Sequence, residues 1–276
     1  MFPFLHLFGR EIPLYGLMFV LAAIVSISFA MLRAKQRGVP VDDTLYMCLF
    51  AVIGAVVGAK LLYIITMIGP VIKNWDAMTE ANVSIWQIIA YAAGGLVFFG
   101  GLIGGVFGGI IYMKMFKLSI PEYADLVAPC IPLAHAIGRI GCLLGGCCYG
   151  IESPYGVIFN NSPALPAELH NIKLLPVQLI ETDVNLLIVL ILLIYEYNRK
   201  RENKKIPKIP KNLLLYLILY SVSRFALEFF RGDKARGIFG GISTSQIISI
   251  IIFIISVSIS ISLYLRIFFD KRKKIN

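Results

Sequence analysis

The chain has 276 residues, 58% of them hydrophobic, a mean hydropathy of +0.80 and a formal net charge of +10. Soluble domains are about 45–50% apolar, so the composition excludes an ordinary soluble protein, and the long unbroken apolar runs exclude a closed barrel, whose strands alternate. The basic excess sits mostly in short connections, where it sets membrane topology, and nucleic acid is not an expected partner.

The first residues, MFPFLHLFGRE, have no basic start, and Arg10 and Glu11 interrupt the apolar run, so they do not read as a signal peptide. A helical span needs roughly 20 apolar residues. Seven spans are predicted in one membrane domain covering 1–276, at about 13–32, 44–69, 86–113, 121–150, 177–195, 212–230 and 242–268. The second carries Gly54 and Gly58. The third holds GGLVFFGGLIGGVFGG (94–109), in which Gly100, Gly104 and Gly108, and likewise Gly101, Gly105 and Gly109, recur every four residues. That stripe reads mainly as close helix packing, with site lining limited to its outer end near 94–100. The fourth span is broken by Pro129 and Pro132, and the connection 151–176 reads as an ordered loop from its Pro, Asn and Gly content.

Charge orients the chain. The connections at 33–37, 114–117, 199–211 and 266–274 hold seventeen basic residues, against six in the opposite set: Arg10, Lys73, Lys173, Arg231, Lys234 and Arg236. The richer side is cytoplasmic. The expected fold is thus an all-α polytopic bundle of about seven transmembrane helices, N-terminus outside and C-terminus inside. Three further basic residues, Lys60, Arg139 and Arg224, lie within spans.

Arg139 sits in HAIGRIGCLLGGCCYG (135–150). A mid-bilayer arginine costs from about 2.5 kcal/mol upward, so it must face a partner, a polar interior or a substrate. One reading is an interhelical salt bridge with Glu181 or Glu228. Further on, YSVSRFALEFFRGD (220–233) places Arg224, Glu228 and Arg231 at i, i+4 and i+7, on one helix face that Tyr220 extends. Arg231 falls at the outer end of its span and Arg224 about two turns deeper. Two or three guanidiniums therefore gather in the outer half of the membrane. The planar guanidinium fork suits phosphate, and a phosphate buried there is most naturally a phospholipid headgroup. His135, four residues before Arg139, shares its face.

The five cysteines, Cys48, Cys130, Cys142, Cys147 and Cys148, lie in or beside apolar segments, against a secreted disulfide framework. The order C-x4-C-C of the last three matches no usual zinc spacing. They read as small apolar packing residues, with a metal or thiol-redox site as the alternative.

Together these pieces resemble the prolipoprotein diacylglyceryl transferases of bacterial inner membranes, over most of the chain. YGLMF (15–19), GGLVFFGGLIGG, GRIGCLLGGCCYG (138–150), LLPVQLIE (174–181), YSVSRFALEFFRGD and GISTSQIISI (241–250) stand in the order of that family's signatures. The resemblance implies an enzyme that moves the diacylglyceryl group of phosphatidylglycerol to the lipobox cysteine thiol of a prolipoprotein, forming a thioether and releasing glycerol phosphate. Phosphatidylglycerol, lipobox prolipoproteins and membrane lipid are then its partners, and neither cofactor nor metal is expected. By motif position it implies that Arg139 binds the phospholipid, that Arg224 is the second essential arginine, and that Tyr220 and Glu228 act with them. Tyr15, Gly100, Gly101, Gly150 and Arg231 would line the substrate. His135 is read as helping to take the thiol proton or as orienting Arg139. The chain departs from the family pattern at Cys142, Gly145 and Cys147, where Asn, Asn and Glu are usual, at Phe99, which replaces a frequent histidine, and at Lys60, where an arginine is expected. These departures keep open a diverged paralogue with a phospholipid-binding or thiol-redox role.

Overall fold

Among the described residues, seven helical segments of the computed structural model are long and apolar enough to cross a membrane, in keeping with the composition. The structure describes residues 3–7, 9–74, 84, 86–87, 94–159, 162, 164–202, 209–232, 238–239 and 241–273. The predicted third-span segment 88–93, and the basic residues Lys204, Lys205, Lys208, Lys234, Arg236 and Lys274, lie outside them.

In chain order, a short hairpin of β1 (Phe4–Leu7) and β2 (Arg10–Pro13) leads into α1 (Leu14–Arg37). Then come α2 (Val41–Lys73), α3 (Phe98–Met115), α4 (Ile120–Val127) and α5 (Cys130–Gly145). The strands β3 (Glu152–Ile158) and β4 (Lys173–Leu174) pair antiparallel before α6 (Val177–Glu202). Last are α7 (Lys211–Leu227), a 3-10 turn over Glu228–Phe230, the strand pair β5 (Ile238–Phe239) and β6 (Ile242–Ser243), and α8 (Thr244–Lys273).

Three predicted boundaries change. The third span begins at Phe98: residues 94–97 are not helical, and the Val97 N–H donates to the Ala59 carbonyl instead of to a helical turn. The fourth span is two helices, because Pro129 interrupts the α4 ladder while Pro132 fits the first turn of α5, where no helical partner is lost. It also ends at Gly145 rather than near 150. Gly146 adopts φ +70°, and the N–H groups of Gly146 and Cys147 donate to the carbonyls of Leu143 and Cys142, the geometry of a Schellman stop.

The chain forms two compact units, 1–29 with 124–276 and 30–123. In the second unit α2 and α3 meet along their glycines. A β-carbon at Gly54 would lie 2.3 Å from the Gly104 carbonyl oxygen, and one at Gly58 the same distance from that of Gly100. The backbones touch, which is how small-residue stripes hold helices together without a hydrophobic driving force. Tyr112 of α3 donates to Asp43 of α2 at 3.2 Å.

In the first unit, Ile188, Leu192 and Tyr216 form a buried core between α6 and α7. At the far end of these helices Asp125 is fully buried. It pairs with Arg199 and accepts the Asn212 backbone N–H at 2.6 Å, while the Asn212 side chain donates to Glu196 at 3.2 Å. The predicted ordered loop after α5 has its own small core of Tyr149, Phe159, Leu165 and Leu174.

Candidate functional site

Glu181 lies one turn into α6, on a buried side of the helix that also carries Gln178, Thr182 and Asn185. Its carboxylate is almost fully buried and gathers three guanidiniums. Arg139 of α5 is ion-paired to it through Nε, Arg224 of α7 donates from Nη1 at 3.3 Å, and Arg231 reaches 4.0 Å. Arg224 is itself held on two further sides, by Glu228 at 2.8 Å and by the Ser245 hydroxyl at the start of α8 at 3.0 Å. The side chains of all three arginines are 8–12% exposed, so the cluster is desolvated. Among the described residues, three guanidiniums and the carboxylates of Glu181 and Glu228 make up this cluster.

The salt-bridge reading of Arg139 is thus correct, with Glu181 as partner, and two further guanidiniums share that carboxylate. The i, i+4 pairing of Arg224 with Glu228 is as the spacing predicts. Arg231 arrives differently. The α-helix stops at Leu227, a 3-10 turn carries Glu228–Phe230, and Arg231 is extended at φ −83°, ψ 135°. What places it is a backbone crossing: Gly150 and Arg231 form an antiparallel bridge, Ile151 N–H donates to Phe230 at 3.0 Å and Gly232 N–H to Tyr149 at 3.0 Å. A β-carbon at Gly150 would sit 2.6 Å from the Leu175 carbonyl oxygen and 2.8 Å from that of Phe230. Gly150, expected to line substrate, has the observed job of letting three chain segments cross beneath Arg231.

His135 and Arg139 share a face as predicted, and the Arg139 Nε–H donates to His135 Nε2 at 3.2 Å. That nitrogen's lone pair is engaged, so in this arrangement His135 orients Arg139. Tyr220 packs beside it, ring centres 5.6 Å apart. Thr182 ties α6 to α5 by donating to the Ala136 carbonyl at 3.3 Å. Tyr15, in the first turn of α1, is half exposed, and its turn lies against Gly141, where a β-carbon would be 3.0 Å from Met18 Cβ. Gly100 and Gly101 belong to the second unit. Gly100 is engaged in backbone contact with Gly58, and Gly101 faces Ala55 and Ala59.

Two residues beyond the expected substrate and catalytic set matter. Glu181, expected only as a salt-bridge partner of Arg139, is the hub. Its sequence signal was a carboxylate inside an apolar span, LLPVQLIE, four residues after a helix start. Gln178, fully buried one turn earlier, donates from Nε2 to the Cys147 carbonyl at 2.7 Å and pins the loop that follows α5.

Three of the cysteines expected to be packing residues come together. The sulfurs of Cys142, Cys147 and Cys148 lie within 4.8 Å of one another. A regular helix cannot bring such spacing together. The left-handed turns at Gly146 and at Cys148, φ 60°, do so. Hydrogen bonds from the thiols of Cys142 and Cys147, and then the Arg139 and Arg231 guanidiniums, hold the Cys148 thiol below its ordinary range against the opposing effect of burial.

The family model of the prolipoprotein diacylglyceryl transferases matches residues 3–262. The chain is 36% identical over 252 residues to the phosphatidylglycerol–prolipoprotein diacylglyceryl transferase of Clostridium tetani, covering 91% of this chain and 92% of the relative. It is 36% identical over 251 residues to the second such enzyme of Clostridium perfringens, covering 90% of each. A relative of the same name from Acinetobacter baumannii is 28% identical over 255 residues, 89% of this chain and 86% of the relative.

Proposed function

The chain belongs to the prolipoprotein diacylglyceryl transferase family, and from that premise we propose that it transfers the diacylglyceryl group of phosphatidylglycerol to the lipobox cysteine of a prolipoprotein. The observation that carries this reading is the desolvated cluster of three arginines around Glu181, at one end of α5, α6, α7 and α8. A phosphodiester brings one negative charge and forked acceptors, which suits planar guanidiniums.

The reaction forms a bond from the thiol sulfur to the terminal glyceryl carbon and breaks that carbon's bond to the phosphate oxygen. The electron pair stays on that oxygen, so the departing glycerol phosphate gains negative charge as the thiol loses its proton. Arg139, Arg224 and Arg231 stabilise that charge where it develops, without having to reorganise. Glu181 and Glu228 hold the guanidiniums apart and aimed. His135 is a positioning residue for Arg139, and Tyr220 packs against it. Tyr15, at the exposed mouth of α1, meets the lipid. A substrate thiol has an ordinary pKa near ~8.5, and an approach to several guanidiniums favours its ionised form.

The cluster lies at the ends of α6 and α7 opposite the basic connection 199–211. The positive-inside rule puts that connection in the cytoplasm and the cluster in the outer half of a bacterial cytoplasmic membrane, with the N-terminus outside. Purified protein in detergent is to be incubated with phosphatidylglycerol and a lipobox peptide. Peptide mass should rise by one diacylglyceryl group with equimolar glycerol phosphate released. No mass gain from folded protein, beside an active relative, would refute the proposal.

A further inference from the structure

We propose that Cys142, Cys147 and Cys148 form a binding site for one zinc-class cation, held by three thiolates with the fourth position left to a ligand from outside the chain. The three sulfurs already lie within 4.8 Å of one another, as ligands on a single tetrahedral ion must. None of the three is fully buried, so a cation has access. The transfer reaction assigned above uses none of them.

The backbone is built to hold this geometry. Cys142 is on the last turn of α5, and the Schellman stop at Gly146 reverses the chain directly after it. Cys147 N–H donates to the Cys142 carbonyl at 3.1 Å, and its thiol points to the same oxygen at 3.7 Å. Cys148 adopts φ 60°. A residue with a β-carbon is disfavoured in that region, yet this conformation is what returns the third sulfur to the other two. The turn is pinned from outside the cluster. Gln178 donates to the Cys147 carbonyl at 2.7 Å, and the buried Ser162 hydroxyl donates to the Gly145 carbonyl at 2.8 Å. A β-carbon at Gly146 would fall 2.3 Å from that hydroxyl, so the loop cannot be rebuilt cheaply. Thiolates select soft and borderline cations over magnesium or calcium, and three protein ligands leave one position open. The ion would clamp the end of α5, one turn past Arg139, to the loop that runs into Gly150 and its bridge with Arg231.

The test uses full-length protein, purified with reductant and without a polyhistidine tag, loaded with Zn²⁺ alone and desalted. Metal analysis should find one zinc per chain in the wild type and in the Cys48→Ser/Cys130→Ser variant, and none in the Cys142→Ser/Cys147→Ser/Cys148→Ser variant. Titration of the wild type with Cd²⁺ should raise a sulfur-to-cadmium charge-transfer band that saturates at one equivalent, a readout that needs no variant to fold. Wild-type protein with all five thiols reduced, but no retained zinc and no charge-transfer band, would overturn the site. So would a band or zinc content unchanged in the triple variant. Neither readout depends on transfer activity, so failure here and failure of the transferase reading are distinguishable.

Discussion

Arg139 carries a charge at a depth where charge is costly, and its partners explain how it stays. Glu181 pairs with it, His135 accepts from it, and Glu228 pairs with the neighbouring Arg224 so that the shared carboxylate of Glu181 does not face the arginines alone. His135→Gln keeps an acceptor, so transfer should fall by less than about tenfold, whereas His135→Leu removes a charged hydrogen bond worth about 1.5–3 kcal/mol and should lose roughly 10–100-fold. Steady-state transfer rates of the two variants check this; equal losses would remove the orienting role. Glu181→Gln leaves guanidiniums buried without their shared carboxylate. Breaking a buried pair in this way costs about 3–5 kcal/mol, and thermal unfolding in detergent should show it as a lower midpoint. At this scale the sequence was informative where partners lie on one helix. Arg224 with Glu228 and His135 with Arg139 were legible from four-residue spacing. The choice of Glu181 as hub was not, because its three arginines come from α5, from α7 and from the segment beyond α7, and pairing between helices leaves no local pattern.

The helices themselves follow from runs of apolar residues, and their breaks follow from proline and glycine. The glycine stripe of α3 was legible as a packing face, and its mate in α2 was marked by Gly54 and Gly58. A β-carbon at Gly104 would sit 2.2 Å from the Gly54 carbonyl oxygen. Gly104→Leu should therefore destabilise by about 1–3 kcal/mol or more through overpacking, read as a lower unfolding midpoint; an unchanged midpoint would show that the backbones do not touch. Less legible was the end of α5. The run GCLLGGCCYG looks like a continuing apolar span, and only the left-handed turns at Gly146 and Cys148 take it out of the helix. Those turns convert an unpromising cysteine spacing into three neighbouring sulfurs. They also set Gly150 beneath Arg231, a contact between segments eighty-one positions apart that no local propensity encodes.

For the whole molecule, length, apolar content and seven runs were sufficient to give the class and the number of spans, because a lipid environment admits so few solutions. Orientation rests on the asymmetry of basic residues. Tyr155, 90% exposed in the loop after α5, should be outside. In a background with the five native cysteines replaced by serine, Tyr155→Cys in intact cells should react with a membrane-impermeant maleimide, while Lys211→Cys should react only after permeabilisation; the reverse pattern would invert the topology and move the arginine cluster to the cytoplasmic side. In the proposed reaction the buried cluster holds the phosphodiester. Transfer from phosphatidylglycerol to a lipobox peptide, measured in parallel for wild type, Arg139→Lys and Arg139→Ala, tests that role. Wild type should be active. Arg139→Ala should lose about 10²–10³-fold, the usual cost of one charge-stabilising donor, and Arg139→Lys should recover little of it because an ammonium cannot present the planar fork. Transfer by Arg139→Ala at the wild-type rate would contradict the assignment of this cluster as the place where the headgroup is held.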